Sequence, residues 1–152
     1  MKKIIYLCIL YISFYNPVKA DICTIVKQDI KKVKIIPFKK EKVDDYAYNN
    51  LVKLGNKIEH CLIDLIKNNS RMIEPRQAPP YQDFRVGDLA VFLLMVIKEK
   101  DLYDFLPKKQ QLKIETQGIY AYFYFVKIPK NRDFIRQKFL TGIKGAEGGS
   151  VN

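Results

Sequence analysis

His60 and Cys61 stand side by side in "NKIEHCLIDLI", and His60 is the only histidine of the 152-residue chain. A histidine beside a thiol suggests a Cys–His nucleophile pair or a zinc ligand set. On a helix, adjacent side chains diverge by about 100°, so these two are not expected to pair with each other. A zinc site needs several Cys, His or carboxylate ligands. Once a leader is removed the chain offers one His and two cysteines, Cys23 and Cys61, so no metal site is expected. The two cysteines lack the C-x-x-C spacing of redox catalysts. They are expected to form a disulfide instead, closing a loop of ordinary length.

Other catalytic patterns are equally sparse. Asp44, Asp45, Asp64 and Glu115 are the carboxylates that would serve paired acid–base chemistry, and helix capping and surface charge account for all four. The sequence holds no G-x-S-x-G, and the expected mature chain has only Ser70 and Ser150. "GAEGGS" lies near the C-terminal end of the sequence and not between a strand and a helix, so no phosphate cradle is expected. The residues point to binding rather than catalysis, with no cofactor. Arg71, Arg76, Tyr81 and Arg85 are the candidates for contacting a partner. They lie in or beside "NSRMIEPRQAPPYQDFR", a long Pro-containing loop, and Arg and Tyr are side chains that anchor interfaces.

Export frames that reading. "MKK" is a positive start, "IIYLCILYISFY" an apolar stretch, and "NPVKA" a breaker ending in small residues. This is the layout of a secretory leader, residues 1–20, cut before Asp21. Its apolar stretch is shorter than the ~20 residues of a membrane span. Cleavage removes three of the 27 basic residues, Lys2, Lys3 and Lys19, and leaves 16 acidic ones, a formal charge of +8. That excess suits an acidic protein partner or an anionic membrane surface, whereas export to the periplasm or outside the cell argues against nucleic acid.

The elements follow from periodicity. Residues 21–43 mix β-branched residues with lysines and read as a partly extended N-terminal arm, with "KVKII" alternating like a short strand. "KKVKIIPFKKEK" within it is the segment that would meet anionic lipid. Residues 44–143 read as a helical domain. Asp44 or Asp45 caps a first helix with Ala47, Leu51 and Leu54 on one face, and Gly55 ends it. Asn56 then starts a second helix, with Ile58, Cys61, Leu62, Leu65 and Ile66 spaced i, i+3, i+4, i+7, i+8.

"VGDLAVFLLMVI", Val86–Ile97, is apolar nearly all round. Twelve helical residues span about 18 Å, short of the ~30 Å of a bilayer core, so this is a core helix with Asp88 in its first turn. "IYAYFYFVKIP" is ambiguous. Alternation would make a strand, even a hairpin over 111–128, while Ile119, Tyr122, Phe123 and Val126 would share a helix face. In "NRDFIRQKFLTGIKG", Asn131 caps a last helix that Gly142 and Gly145 end, and the Gly-rich residues 144–152 read as a disordered tail.

"YNNLVKLGNKIEHCLIDLI" resembles one helix pair of the HEAT-like type, with L-x-x-L-G closing the first helix. Together with "RVGDLAVFLL" and "YFYFVKIPKNRDFIRQKFL", the order is similar to that of small exported bacterial helical proteins of uncharacterised function. The resemblance covers residues 46–143. It implies a helix at 119–128, in an all-α bundle with one HEAT-like pair and an extended arm. It departs from true HEAT arrays in having one pair rather than three or more repeats. The expected function is that of an inhibitor- or immunity-like binding protein for an acidic partner. A peripheral protein on anionic lipid and an enzyme without a recognisable motif are the alternatives.

Overall fold

The structure is a computed structural model that describes residues 21–37, 41–73, 75 and 82–147. The expected leader, residues 1–20, lies outside them, as do Arg76 and Tyr81. The fold is an all-α bundle, with no strand among the described residues. No helix among them is long and apolar enough to cross a membrane.

The N-terminal segment departs from the expected extended arm. It begins as helix α1, Ile22–Asp29, followed by a 3-10 turn at Ile30–Lys32. Val26 and Ile30 are fully buried in the core, and that burial makes a helix of residues whose local propensity is mixed. After the turn, the described residues of this segment, 33–37 and 41–43, are without helix, and "KVKII" joins no sheet. Its free amides are met otherwise. The N–H groups of Lys34 and Ile35 donate to the Asp45 carboxylate, and that of Ile36 to Pro75 O.

Helix α2, Tyr46–Leu54, starts as the sequence predicts, with the Asp45 carboxylate accepting from Tyr48 N–H at 3.0 Å. It ends at Gly55, whose φ of 55° lies in the left-handed region that glycine adopts freely. Asn56 does not cap the next helix. A 3-10 turn over Gly55–Ile58 intervenes, and α3 is Glu59–Leu65. The Cys23–Cys61 disulfide ties α1 to α3.

Helix α4, Val86–Lys98, is the centre of the bundle, with Val86 to Leu94 all buried. It packs against α3 and α2 and draws the aromatic cluster around it. A 3-10 turn, Leu102–Phe105, and Pro107 lead into α5, Lys108–Gln117. Residues 119–128 are helical, and the hairpin alternative does not form: α6 is Tyr120–Val126. Ala121, Tyr122, Phe123 and Val126 are buried, a helical face and not an alternating one. The Phe123 ring lies 5.8 Å from Phe84 and the Tyr122 ring 5.6 Å from Phe92. Contact with α4 and the loop before it thus overrides the strand propensity of a Tyr/Phe run.

Helix α7 runs Pro129–Glu147, three residues earlier than an Asn131 cap would start it and past the glycines expected to stop it. A glycine inside a helix costs only about 1 kcal/mol relative to alanine, which a helix anchored by buried Ile135 and Phe139 absorbs. The expected disordered tail is therefore helical through Glu147, and the rest of it, 148–152, lies outside the described residues.

Candidate functional site

The two ends of the candidate loop meet at the start of α4. An isolated antiparallel bridge joins Arg71 to Arg85, with Met72 N–H donating to Phe84 O at 3.1 Å. At the start of α4, Val86 N–H donates to Ser70 O and Gly87 N–H to Asn68 O, both at 3.0 Å. Gly87 sits where no side chain fits: a Cβ there would lie 2.3 Å from Ile66 O and 2.8 Å from Arg132 Nη1. The close approach of α4 to the end of α3 depends on that glycine.

Beneath this junction lies a buried ion pair. Asp88 is 1% exposed and Arg132, from the first turn of α7, 5%. Arg132 Nη2 lies 2.8 Å from Asp88 Oδ1, and its Nη1 donates to Ile66 O at 3.4 Å. Asp88 Oδ1 also accepts from the Tyr122 hydroxyl at 3.4 Å, and Oδ2 accepts from Arg85 N–H at 2.9 Å. Burial pushes the Asp88 carboxyl above its ordinary range, and the Arg132 guanidinium pulls against that shift.

Above the pair, a cleft of about 260 Å³ opens between the loop, α6 and the start of α7. Its size is below the ~300–1,000 Å³ usual for drug-sized ligands, so it suits a single side chain or small anion better than a nucleotide cofactor. Asp83 and Lys127 stand at it with Arg85. Asp83 is ringed by three cations: Arg71 Nη2 at 3.1 Å, Lys127 Nζ at 3.3 Å and Arg85 Nη2 at 3.7 Å. One carboxylate does not neutralise three cations, so this cluster keeps a local positive excess.

The predicted residues divide into separate roles. Arg71 faces outward, with 71% of its side chain exposed. Arg85 is turned into the loop, its Nε donating to Asp83 O and its Nη1 to Asn69 O at 2.8 Å. The structure thus brings Arg71 and Arg85 together on one acidic residue, while Arg76 and Tyr81 fall outside the described residues. Lys127, 59% exposed, and Asp83 are members that the loop's composition did not reveal. Lys127 arrives from the C-cap of α6, and nothing in "FVKIP" marks it as a neighbour of residue 83. Two large apolar side chains close in sequence to the exposed cations are themselves exposed: Ile73, two positions after Arg71, and Ile128, next to Lys127.

The carboxylates considered for acid–base chemistry do not assemble. Asp45 caps α2, and Asp64 lies 2.7 Å from Arg136 Nη2. The histidine is where the structure corrects the sequence. His60 Nε2 lies 3.3 Å from Cys61 Sγ and 3.3 Å from Cys23 Sγ. Divergence at the Cβ atoms does not separate the pair, because the imidazole reaches over the disulfide at the α1–α3 edge, where His60 is exposed. These three residues form the group among the described residues with metal-ligand potential, their ligand atoms all within 4.8 Å of one another. No family model matches the chain, and neither a curated protein nor a solved structure does.

Proposed function

We propose that this chain is an exported, non-catalytic binding protein of inhibitor or immunity type, and that it engages an acidic protein through the face carrying Arg71, Asp83, Arg85 and Lys127. The observation that carries this reading is the ring of three cations on Asp83, two of them mostly exposed. Arg85 fixes the loop, and Arg71 and Lys127 are left to meet a partner's carboxylates as bidentate and point-charge donors respectively. Exposed Ile73 and Ile128 supply apolar contact beside them. The net positive charge of the chain steers an acidic surface towards this face.

Two rival readings meet specific obstacles. Lipid binding through the Lys-rich arm has exposed Lys31, Lys32 and Lys34 in its favour. Val33 and Ile36 beside them are committed to the core, which leaves half-buried Ile35 and Pro37 as the apolar side of the described Lys-rich segment. An enzyme would have to start from Asp88, the buried carboxylate with the raised pKa. Both of its oxygens are already engaged, by Arg132, Tyr122 and the Arg85 amide.

The test is capture from the native envelope fraction at low and physiological salt, with the wild-type chain and the double charge reversal Arg71→Glu/Lys127→Glu. One stoichiometric acidic protein is expected on the wild type, released by salt and absent from the double variant. Retention unchanged by the reversal, with helix content intact by circular dichroism, would overturn the assignment of this face.

A further inference from the structure

The corner where α1 meets α3 carries chemistry that partner binding does not use. Cys23 comes from α1, His60 and Cys61 from α3, and their Sγ, Nε2 and Sγ atoms lie within 4.8 Å of one another. Both sulfur–nitrogen distances are 3.3 Å. In a tetrahedral zinc site, metal–sulfur bonds of about 2.3 Å and metal–nitrogen bonds of about 2.0 Å hold sulfur and nitrogen roughly 3.5 Å apart. His60 therefore already stands at ligand spacing from both sulfurs, and only the bond between the sulfurs keeps a metal out. His60 is exposed and Cys23 half-buried, so an ion reaches the corner from solvent, while buried Cys61 anchors it to the core.

We propose that reduction of the Cys23–Cys61 disulfide converts this corner into a site for one thiophilic divalent ion of the zinc class. The ligands are Cys23 Sγ, Cys61 Sγ and His60 Nε2, with water in the fourth position. A dithiol reductant gives two electrons and two protons, the sulfur–sulfur bond breaks, and the reductant leaves as its own disulfide. Metal binding then displaces both thiol protons to solvent and joins two thiolates to the ion. Either state cross-links α1 to α3, one through a covalent bond and the other through the metal. The site is thus gated by redox state, and it is independent of the partner-binding face.

The experiment is a titration of cobalt(II) into the full chain carrying Cys8→Ser, which keeps the third thiol out of the count. The chain is held reduced by a phosphine without oxygen or left oxidised, and thiolate–cobalt charge-transfer absorption is read. One equivalent is expected to bind the reduced chain and none the oxidised chain, with zinc displacing the cobalt. His60→Ala is expected to weaken binding by at least about tenfold, and Cys61→Ser to abolish the band. Should reduction lower the helix content, one equivalent of zinc is expected to restore it. No charge-transfer band on the reduced chain, folded or not, overturns the proposal. So does a His60→Ala chain that binds cobalt as tightly as its parent.

Discussion

Two corners of this molecule join its elements by opposite means. At one edge, a disulfide fixes α1 to α3 by a covalent bond that neither salt nor pH weakens near neutrality. At the other, the loop, α4, α6 and α7 meet through charges: Asp88 with Arg132 in the interior, and Asp83 with three cations at the surface. The first corner acts mainly on the unfolded chain, by shortening its accessible loop. The second acts on the folded state, and its two layers obey different rules. A buried pair is expensive to break, whereas exposed pairs contribute little to stability and remain available to a partner.

The largest effect is expected from breaking the buried layer. Arg132→Ala leaves the Asp88 carboxyl enclosed without its counter-charge, and should destabilise the fold by about 3–5 kcal/mol in urea unfolding. Adding Asp88→Asn should recover part of that loss, because the orphaned charge is gone. Losses of Arg132→Ala and Asp88→Asn alone that simply add in the double variant would show that Asp88 and Arg132 are not coupled. Removing the covalent link comes next. Cys61→Ser combined with Cys23→Ser frees a loop of sequence separation 38, and should lower stability by about 2–4 kcal/mol with no dependence on ionic strength. Gly87→Ala ranks third, at about 1–3 kcal/mol, because the atom its Cβ meets at 2.3 Å is backbone and cannot swing aside.

The pH dependence distinguishes the two carboxylates that hold these regions. Burial alone would raise the Asp45 carboxyl, but N–H donors from Tyr48, Lys34, Ile35 and Ala47 outweigh it and leave the carboxyl below its usual value of 3.8. A group depressed on folding contributes stability above its unfolded pKa and loses it as pH falls through the folded one. Asp45→Asn should therefore cost about 1 kcal/mol at neutral pH and flatten the acid limb of the melting-temperature curve below about pH 4. Asp88 has the opposite sign. Its raised pKa means that stability is greatest with the proton on, and is lost as pH rises from 3.8 through the folded value. The smallest effect belongs to the outer ring. Arg71→Ala and Lys127→Ala should each change stability by less than about 1 kcal/mol while lowering capture of an acidic partner. A large loss of stability from either would move that residue from the interface to the scaffold.

The parts legible in the sequence were those carried by neighbours along the chain. The Asp45 cap, the end of α2 at Gly55 and the all-round apolar run of α4 each depend on residues a few positions apart. The pairing of Cys23 with Cys61 was legible for another reason: with Cys8 assigned to the expected leader, no other cysteine was left to pair. The N-terminal segment misled because its lysines and β-branched residues have no strong period, and burial of Val26 and Ile30 decided it. The proposed partner face was half legible, since Arg71 and Arg85 sit in or beside one loop, and half hidden, since Lys127 comes from the C-terminal end of α6.

By itself, then, the sequence determined a helical chain with a central apolar helix, a positive surface charge and a disulfide, because local periodicity and residue counts suffice for those. Periodicity left "YAYFYFV" open between helix and strand, and packing against the rings of Phe84 and Phe92 settles it as the helix that the resemblance implied. The tertiary structure alone placed Arg132 on Asp88, 44 positions away in sequence. It alone laid the His60 ring across both sulfurs. Each of these depends on distances between elements, and a one-dimensional pattern carries no such distances until packing sets them.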